Sequence, residues 1–282
     1  MARCSAETIG PDSEAGSKPH EPYSFGEEFT RVNRASVELR YRLLPYLYTL
    51  FREHAETGAP VMRPLWFEYP DDQRTYTVED EYLVGRDLLV APVVREAATK
   101  RGVYFPAGDD WVDWWTGKTY EGGRDAEVEA PLSRLPLFAR AGAAIPVQAV
   151  VQHTGEMAQS PLSLVVVLKG DGRLTNPAPA PGAGNSGSTS RVYEDAGQGF
   201  GYLRGESHTL TVTQSGGAIR FSRAGAAAVS RPLAALEVWN VRERPGAVKV
   251  DGRPPLKFSY DMLNRVAVSL PGRAFAEVTL AP

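Results

Sequence analysis

The stretch EYLVGRDLLVAPVV, residues 81–94, reads as two short apolar strands broken at Gly85. A glycine inside a strand pattern marks a turn or bulge, since glycine takes up positive φ without strain. The same texture extends on both sides. Upstream, Val61–Phe67 is short, apolar and strand-like. Downstream come Gly102–Phe105, Trp111–Trp115, Glu127–Ala130, Pro136–Arg140 and Ala143–Val147, with the turn sequences PAGDD, TGK and EGGRD among them. Short strands with frequent turns predict a β-sandwich or barrel-like sheet.

A polar connection over residues 148–160 leads to a clear strand at Leu162–Leu168. The Pro, Gly and Ser-rich run NPAPAPGAGNSGSTS, 176–190, predicts a flexible loop. Strands resume at Arg191–Glu194, Gly201–Leu203, His208–Thr213, Ile219–Arg223, Ala234–Val241, Ala247–Val250, Leu256–Tyr260, Arg265–Leu270 and Ala276–Leu280, a second all-β region.

The N-terminal side is different. Residues 1–23 are polar and turn-rich and are expected to be disordered. Ser24 and Glu27 then have capping-box spacing, and Phe29, Val32, Val37, Tyr41, Leu44, Tyr48 and Phe51 recur at helical intervals. Pro45 removes a backbone donor and clashes with the preceding turn, which predicts a kink, or two helices with Pro45 in the first turn of the second. Thr57-Gly58 followed by Pro60 reads as a helix stop.

Composition excludes several classes. The 282 residues are 43% hydrophobic and 23% charged, with net charge −3. That is ordinary for a globular chain and gives no basic surface for nucleic acid or an anionic membrane. No apolar run reaches 18 residues, so no transmembrane helix is expected, and the N-terminus has no apolar core of a secretory signal. The single cysteine, Cys4, rules out an intramolecular disulfide. The four histidines, at 20, 54, 153 and 208, have no metal-ligand spacing, and no cofactor is expected.

Three blocks carry a family resemblance: HEPYSFGEEFTRVNRASVELRYRLLPYLYTLF (20–51), GAPVMRPLWFEYP through EYLVGRDLLVAPVV to VYFPAGDDWVDWWTG (58–117), and LSRLPLFARAGAAIPV (132–147). In order and spacing they resemble the C-terminal portion of glycoside hydrolase family 31 enzymes of the α-glucosidase type. VYEDAGQGFGYLRGE (192–206) resembles that family's distal C-terminal β-domain, with Ala196 where the family usually has a second Asp.

The resemblance implies a mainly β chain: one or two N-terminal helices, the tail of a TIM-type barrel, followed by two β-sandwich-like domains. The expected division is a helical barrel tail over 24–68, a proximal sandwich over 69–147 and a distal β-domain over 148–282. It also implies a retaining α-glycosidase, which uses two carboxyl groups about 5 Å apart. The family's nucleophile and acid/base blocks have no counterpart here, so no catalytic residue is assigned. Substrate carbohydrate would be met through the complete enzyme. A barrel helix without its barrel should expose Leu43, Leu47 and Phe51 and tend to associate through that face.

The chain's own candidate residues each have a structural reading beside the functional one. The acidic groups Asp71/Asp72, Glu79/Asp80/Glu81 and Asp109/Asp110/Asp113 lie in turn-rich segments, where such residues are usually solvated. Asp72 and Asp80 could cap turns or pair with Arg63 or Arg74. His20-Glu21-Pro22 could support a sugar pocket or be terminal chain. Trp111, Trp114, Trp115 and Tyr104 could form a sugar platform or a core. On a strand, Trp111, Asp113 and Trp115 share one face and Trp114 takes the other. Glu194-Asp195 with Gly197 and Gly199 reads as a tight turn, since calcium needs six or more oxygens. The second reading of the chain is a non-catalytic β-sandwich protein that binds carbohydrate or a partner subunit.

Overall fold

The computed structural model describes residues 21–170, 172, 174, 188–215, 217–226, 231–270 and 275–282. His20 and most of the 1–23 segment lie outside the described residues, as do 176–187 of the predicted loop. A 3-10 turn, Pro22–Phe25, leads into helix α1 (Glu27–Arg42), and helix α2 (Leu44–Thr57) follows after Leu43. The expected capping box does not form. Gly26 at φ 92° is the N-cap with no side-chain cap, and the Ser24 hydroxyl donates instead to Glu21 at 3.4 Å. Pro45 stands in the first turn of α2, where a helix has no use for the missing N–H. Gly58 closes α2 in the left-handed region, its N–H bonded to the His54 carbonyl.

Val61–Phe67 is not one strand. Met62–Arg63 is a short strand, β1, and Leu65–Glu68 a single helical turn, α3, with Pro64 as its N-cap. The following strands are β2 (Tyr82–Val84), β3 (Leu88–Val90), β4 (Lys100–Phe105), β5 (Trp111–Asp113), β6 (Thr119–Tyr120), β7 (Arg124–Glu129), β8 (Leu137–Arg140) and β9 (Ala144–Gln148). Gly85, between β2 and β3, has φ 59°, and a Cβ there would meet Leu50 and the Tyr46 hydroxyl at 2.5 Å. Glycine is required there on both counts, as its place in the sequence suggests.

Beyond a 3-10 turn at Thr154–Gln159 come β10 (Leu162–Val167), β11 (Ser188–Asp195), β12 (Ser207–Ser215), β13 (Ala218–Gly225), β14 (Leu233–Trp239), β15 (Ala247–Val250), β16 (Phe258–Tyr260), β17 (Val266–Ser269) and β18 (Glu277–Ala281). Two sequence expectations fail here. Ser188–Ser190, expected in the loop, pair with Gln214–Val212 and begin β11. Gly201–Leu203, expected as a strand, lies in a 3-10 turn, Gly201–Arg204, that closes at left-handed Gly205 and reverses the chain into β12.

The described strands form three main sheets in the orders β1-β2-β3-β8-β5-β6, β16-β17-β14-β10-β9 and β11-β12-β13-β18-β15, with a separate β4-β7 ribbon. The pairing of β10 with β14 is parallel. The molecule is therefore mainly β, with its helices at the N-terminal side. Three apolar layers alternate with the sheets. Leu89, Trp111 and Phe138 pack towards the ribbon with Val103 and Phe105. Leu88, Val90, Val112 and Trp114 pack on the opposite side, with Tyr46 and Leu50 of α2 and with Val165 and Val167. Leu162, Leu164 and Val166 pack with Val192, Leu210 and Val278 of the third sheet. The period-two alternation of β3, β5 and β10 feeds two cores at once. It explains why β10 reads as a nearly continuous apolar run.

Candidate functional site

Helix α2 meets the end of β11 through directed contacts. The Tyr193 N–H donates to the Thr49 hydroxyl at 3.1 Å. The Tyr48 hydroxyl donates to Asp195 Oδ1 at 2.6 Å, and the Tyr193 hydroxyl to Oδ2 at 2.9 Å. The Gly197 N–H reaches Asp195 Oδ1 at 2.7 Å and closes an Asx-type turn. Partial burial, followed by the Asp195 hydrogen bond, raises the Tyr48 phenol above its ordinary range and keeps it a proton donor. The Arg52 guanidinium lies 5.0 Å from the Tyr193 ring centre.

Beneath this turn, Glu194 is buried. It takes Arg231 Nε at 2.7 Å on one oxygen and sits 2.9 Å from His208 Nε2 on the other. Arg231 Nη1 continues to Gln148 Oε1 at 3.0 Å and the Met157 carbonyl at 3.3 Å. Together these segments enclose a groove of about 510 Å³, lined by Leu44, Leu47 and Phe51 of α2, by the Thr154–Ala158 turn, and by Tyr193–Gln198 with Arg231. The sequence shows Glu194 and Asp195 as a turn. It gives no sign of their partners, because Tyr48 and Asp195 are 147 positions apart.

The other acidic candidates hold loops in place. Asp72 accepts from the Arg74 N–H, the Tyr104 hydroxyl at 2.6 Å and the Ala107 N–H at 2.9 Å. Burial works to raise its pKa, but these hydrogen bonds outweigh it and hold the carboxyl below its usual range. The guanidinium of Arg74 pairs with Asp125 rather than Asp72. Arg63 pairs with Glu53 and Glu68, and Asp80 with Arg101. Asp71 and Glu79 are exposed. Asp109 accepts from Tyr69 and faces Arg140, while Asp113 accepts from the Trp115 and Thr116 N–H groups.

Glu81 differs from these acids in its raised pKa. It is buried, accepts from the Tyr104 N–H at 2.9 Å, and lies 3.3 Å from Arg101. Burial pushes its carboxyl up to about 7 against the pull of that N–H and of Arg101. A second buried pair, Asp87 with Arg140 at 2.6 Å, joins the β2–β3 turn to β8.

The aromatic candidates are core rather than platform. Trp111 is fully buried, Trp114 meets Trp239 edge-on at 4.9 Å, and Trp115 Nε1 donates to the Leu135 carbonyl at 2.7 Å. Trp115 does not share a face with Trp111. Strand β5 stops at Asp113, and its turn directs Trp115 to the same core as Trp114. Among the described residues, no group of His, Cys, Asp and Glu is arranged to hold a metal ion, and no helix is long and apolar enough to cross a membrane.

Set beside known proteins, this assembly of helices and packed β-sheets is similar to part of the glycosyl hydrolases of family 31. Residues 58–145 match the glycosyl hydrolase family 31 C-terminal domain, and residues 11–50 match the family 31 TIM-barrel domain. The chain belongs to glycoside hydrolase family 31, α-glucosidase type. It is 42% identical over 191 residues to α-glucosidase 2 of Bacillus thermoamyloliquefaciens, covering 68% of this chain and 22% of that protein. It is 30% identical over 263 residues to an α-glucosidase of Aspergillus niger, covering 90% and 25%. Its fold matches the Flavobacterium johnsoniae family 31 dextranase complexed with glucose at TM-score 0.81 and 29% identity, over 95% of this chain and 34% of that one. The chain thus spans between about a fifth and a third of the length of these relatives.

Proposed function

We propose that this chain is the C-terminal portion of a retaining α-glucosidase-type hydrolase acting on α-glycosidic bonds, and that the catalytic Asp pair lies outside it. The observation that carries this reading is the contrast within the helical segment. Helix α1 falls in the stretch matching the barrel domain, yet of its sixteen residues only Asn33 is buried. A helix of an outer barrel ring needs the barrel to cover its inner face.

Retaining hydrolysis needs one carboxylate to attack the anomeric carbon and a second carboxyl about 5 Å away to protonate the leaving oxygen and then activate water. The acids that the structure engages in this chain are tied to loops, caps or ion pairs, which supports a structural role for them. The sheets would then serve as the support on which the barrel is mounted. The similarity to relatives named α-glucosidase and dextranase supports a substrate among α-linked glucose polymers and oligomers.

The test compares two proteins. The 282-residue chain is expected to give no turnover of a nitrophenyl α-glucoside, and a longer chain with the barrel coding region restored is expected to turn over. Robust hydrolysis by the 282-residue chain would overturn the placement of the catalytic pair. A second reading, association through the exposed helix face, draws support from Phe25 and Val37, both more than half exposed. Sedimentation over a range of concentrations checks it: a strictly monomeric chain would remove it.

A further inference from the structure

We infer that the groove between α2 and the Asp195 turn is a non-catalytic binding site for a short neutral oligosaccharide. Its volume, about 510 Å³, falls within the roughly 300–1,000 Å³ of small-molecule sites. Two of its three walls, Thr154–Ala158 and Tyr193–Gln198, lie outside both stretches that match the family's domains. Leu44, Leu47 and Phe51 follow one another at helical spacing and give the third wall an apolar stripe. Phe51 is 59% exposed, so its ring is open to a ligand.

The charges favour a neutral partner. Glu194 is neutralised by Arg231, and Asp195 already accepts from two tyrosine hydroxyls and a backbone N–H. Asp195 keeps its charge, but its oxygens are engaged. The lining carboxylates Glu194 and Asp195 are matched by the guanidiniums of Arg40 and Arg231, so the groove has no net charge to select a cation or an amine. With Arg231 committed to Glu194, Arg40 is the other guanidinium among the described lining residues, too little for a multiply charged anion. The Gln198 amide and the Thr154 hydroxyl supply neutral donors and acceptors beside an aromatic ring, the combination that suits a polyol with apolar C–H faces. The choice of a carbohydrate within that class rests on the family reading above.

The experiment uses the 282-residue chain with maltotriose and isomaltotriose as probes, followed by NMR or calorimetry up to about 20 mM, the range of weak single-site binding. Binding is expected. Phe51→Ala should weaken it by about tenfold, the loss of one aromatic contact. Gln198→Ala should weaken it less. Trp66→Ala, an exposed aromatic away from the groove, should leave it unchanged. Unchanged melting of each variant separates lost contact from lost fold. Absence of binding to both probes overturns the inference, and so does binding that Phe51→Ala leaves intact. Neither result touches the hydrolase reading, which is decided by turnover of the longer chain. Groove binding without such turnover would sink the hydrolase reading and leave the groove standing.

Discussion

Helices α1 and α2 are consecutive, similar in length and opposite in packing. Helix α2 buries Tyr46 and Leu50 against the first two sheets and ties Tyr48 and Thr49 to the third. Helix α1 buries one polar residue. Helical periodicity is present in both. Periodicity reports which face a helix can bury, and the partner supplies the rest of its stability. The boundary between self-sufficient and dependent structure therefore falls at Leu43, inside what reads as one helical segment. Leu43 itself, expected to be exposed with Leu47 and Phe51, is only 9% exposed because it reaches the core shared with α2, and Leu47 is half-buried.

Substitutions can break or sharpen this contrast. The largest effect is expected at Leu50→Ala, which empties a site in the central core and should lower stability by about 3 kcal/mol in chemical denaturation. If it falls below about 1 kcal/mol, α2 is as loosely held as α1 and the contrast fails. Next is Glu81, in the packed half. Its carboxyl is at about 7 in the folded chain and near its ordinary value when unfolded, so the folded state binds the proton more tightly. That contribution is complete below the unfolded pKa and is lost as pH rises towards about 7. Glu81→Gln should remove this slope and raise stability at pH 8 by about 2 kcal/mol. A melting series from pH 4.5 to 8 parallel to that of the parent would sink the assignment.

Tyr48→Phe removes one hydrogen bond to a carboxylate at a partly exposed site. A loss of about 1 kcal/mol is expected, with faster amide exchange over α2 and little change in α1. Equal acceleration in both helices would show that they move as one unit. The smallest effect is expected at Val37→Ala, within about 0.5 kcal/mol in this chain. In a longer chain with the barrel restored, the same substitution should cost more, and a difference between the two proteins measures what covers α1.

Much of the fold was legible wherever one residue dictates the backbone. Pro45 marked the helix junction, Gly58 the helix end and Gly85 the β2–β3 turn. Strands that alternate or run apolar, such as β10 and β12, were legible from pattern alone. Two-residue strands were not: β6 is held by its pairing with β5 and has no period of its own. Ser24 misled because a cap also requires the backbone to turn at that residue, and it turns at Gly26 instead. The groove was illegible for a different reason. Its walls meet only after the sheets are assembled, and no local signal links Tyr48 to Asp195 or Gln148 to Arg231.

The position of β18 has a consequence for synthesis. This strand, Glu277–Ala281, lies inside its sheet, between β13 and β15, rather than at an edge. A chain leaving the ribosome cannot close that sheet until those residues have emerged, so β11 to β13 and β15 are made before the strand that joins them. Removal of Glu277–Ala281 would leave β13 and β15 with bare edges facing each other, and such edges recruit other chains.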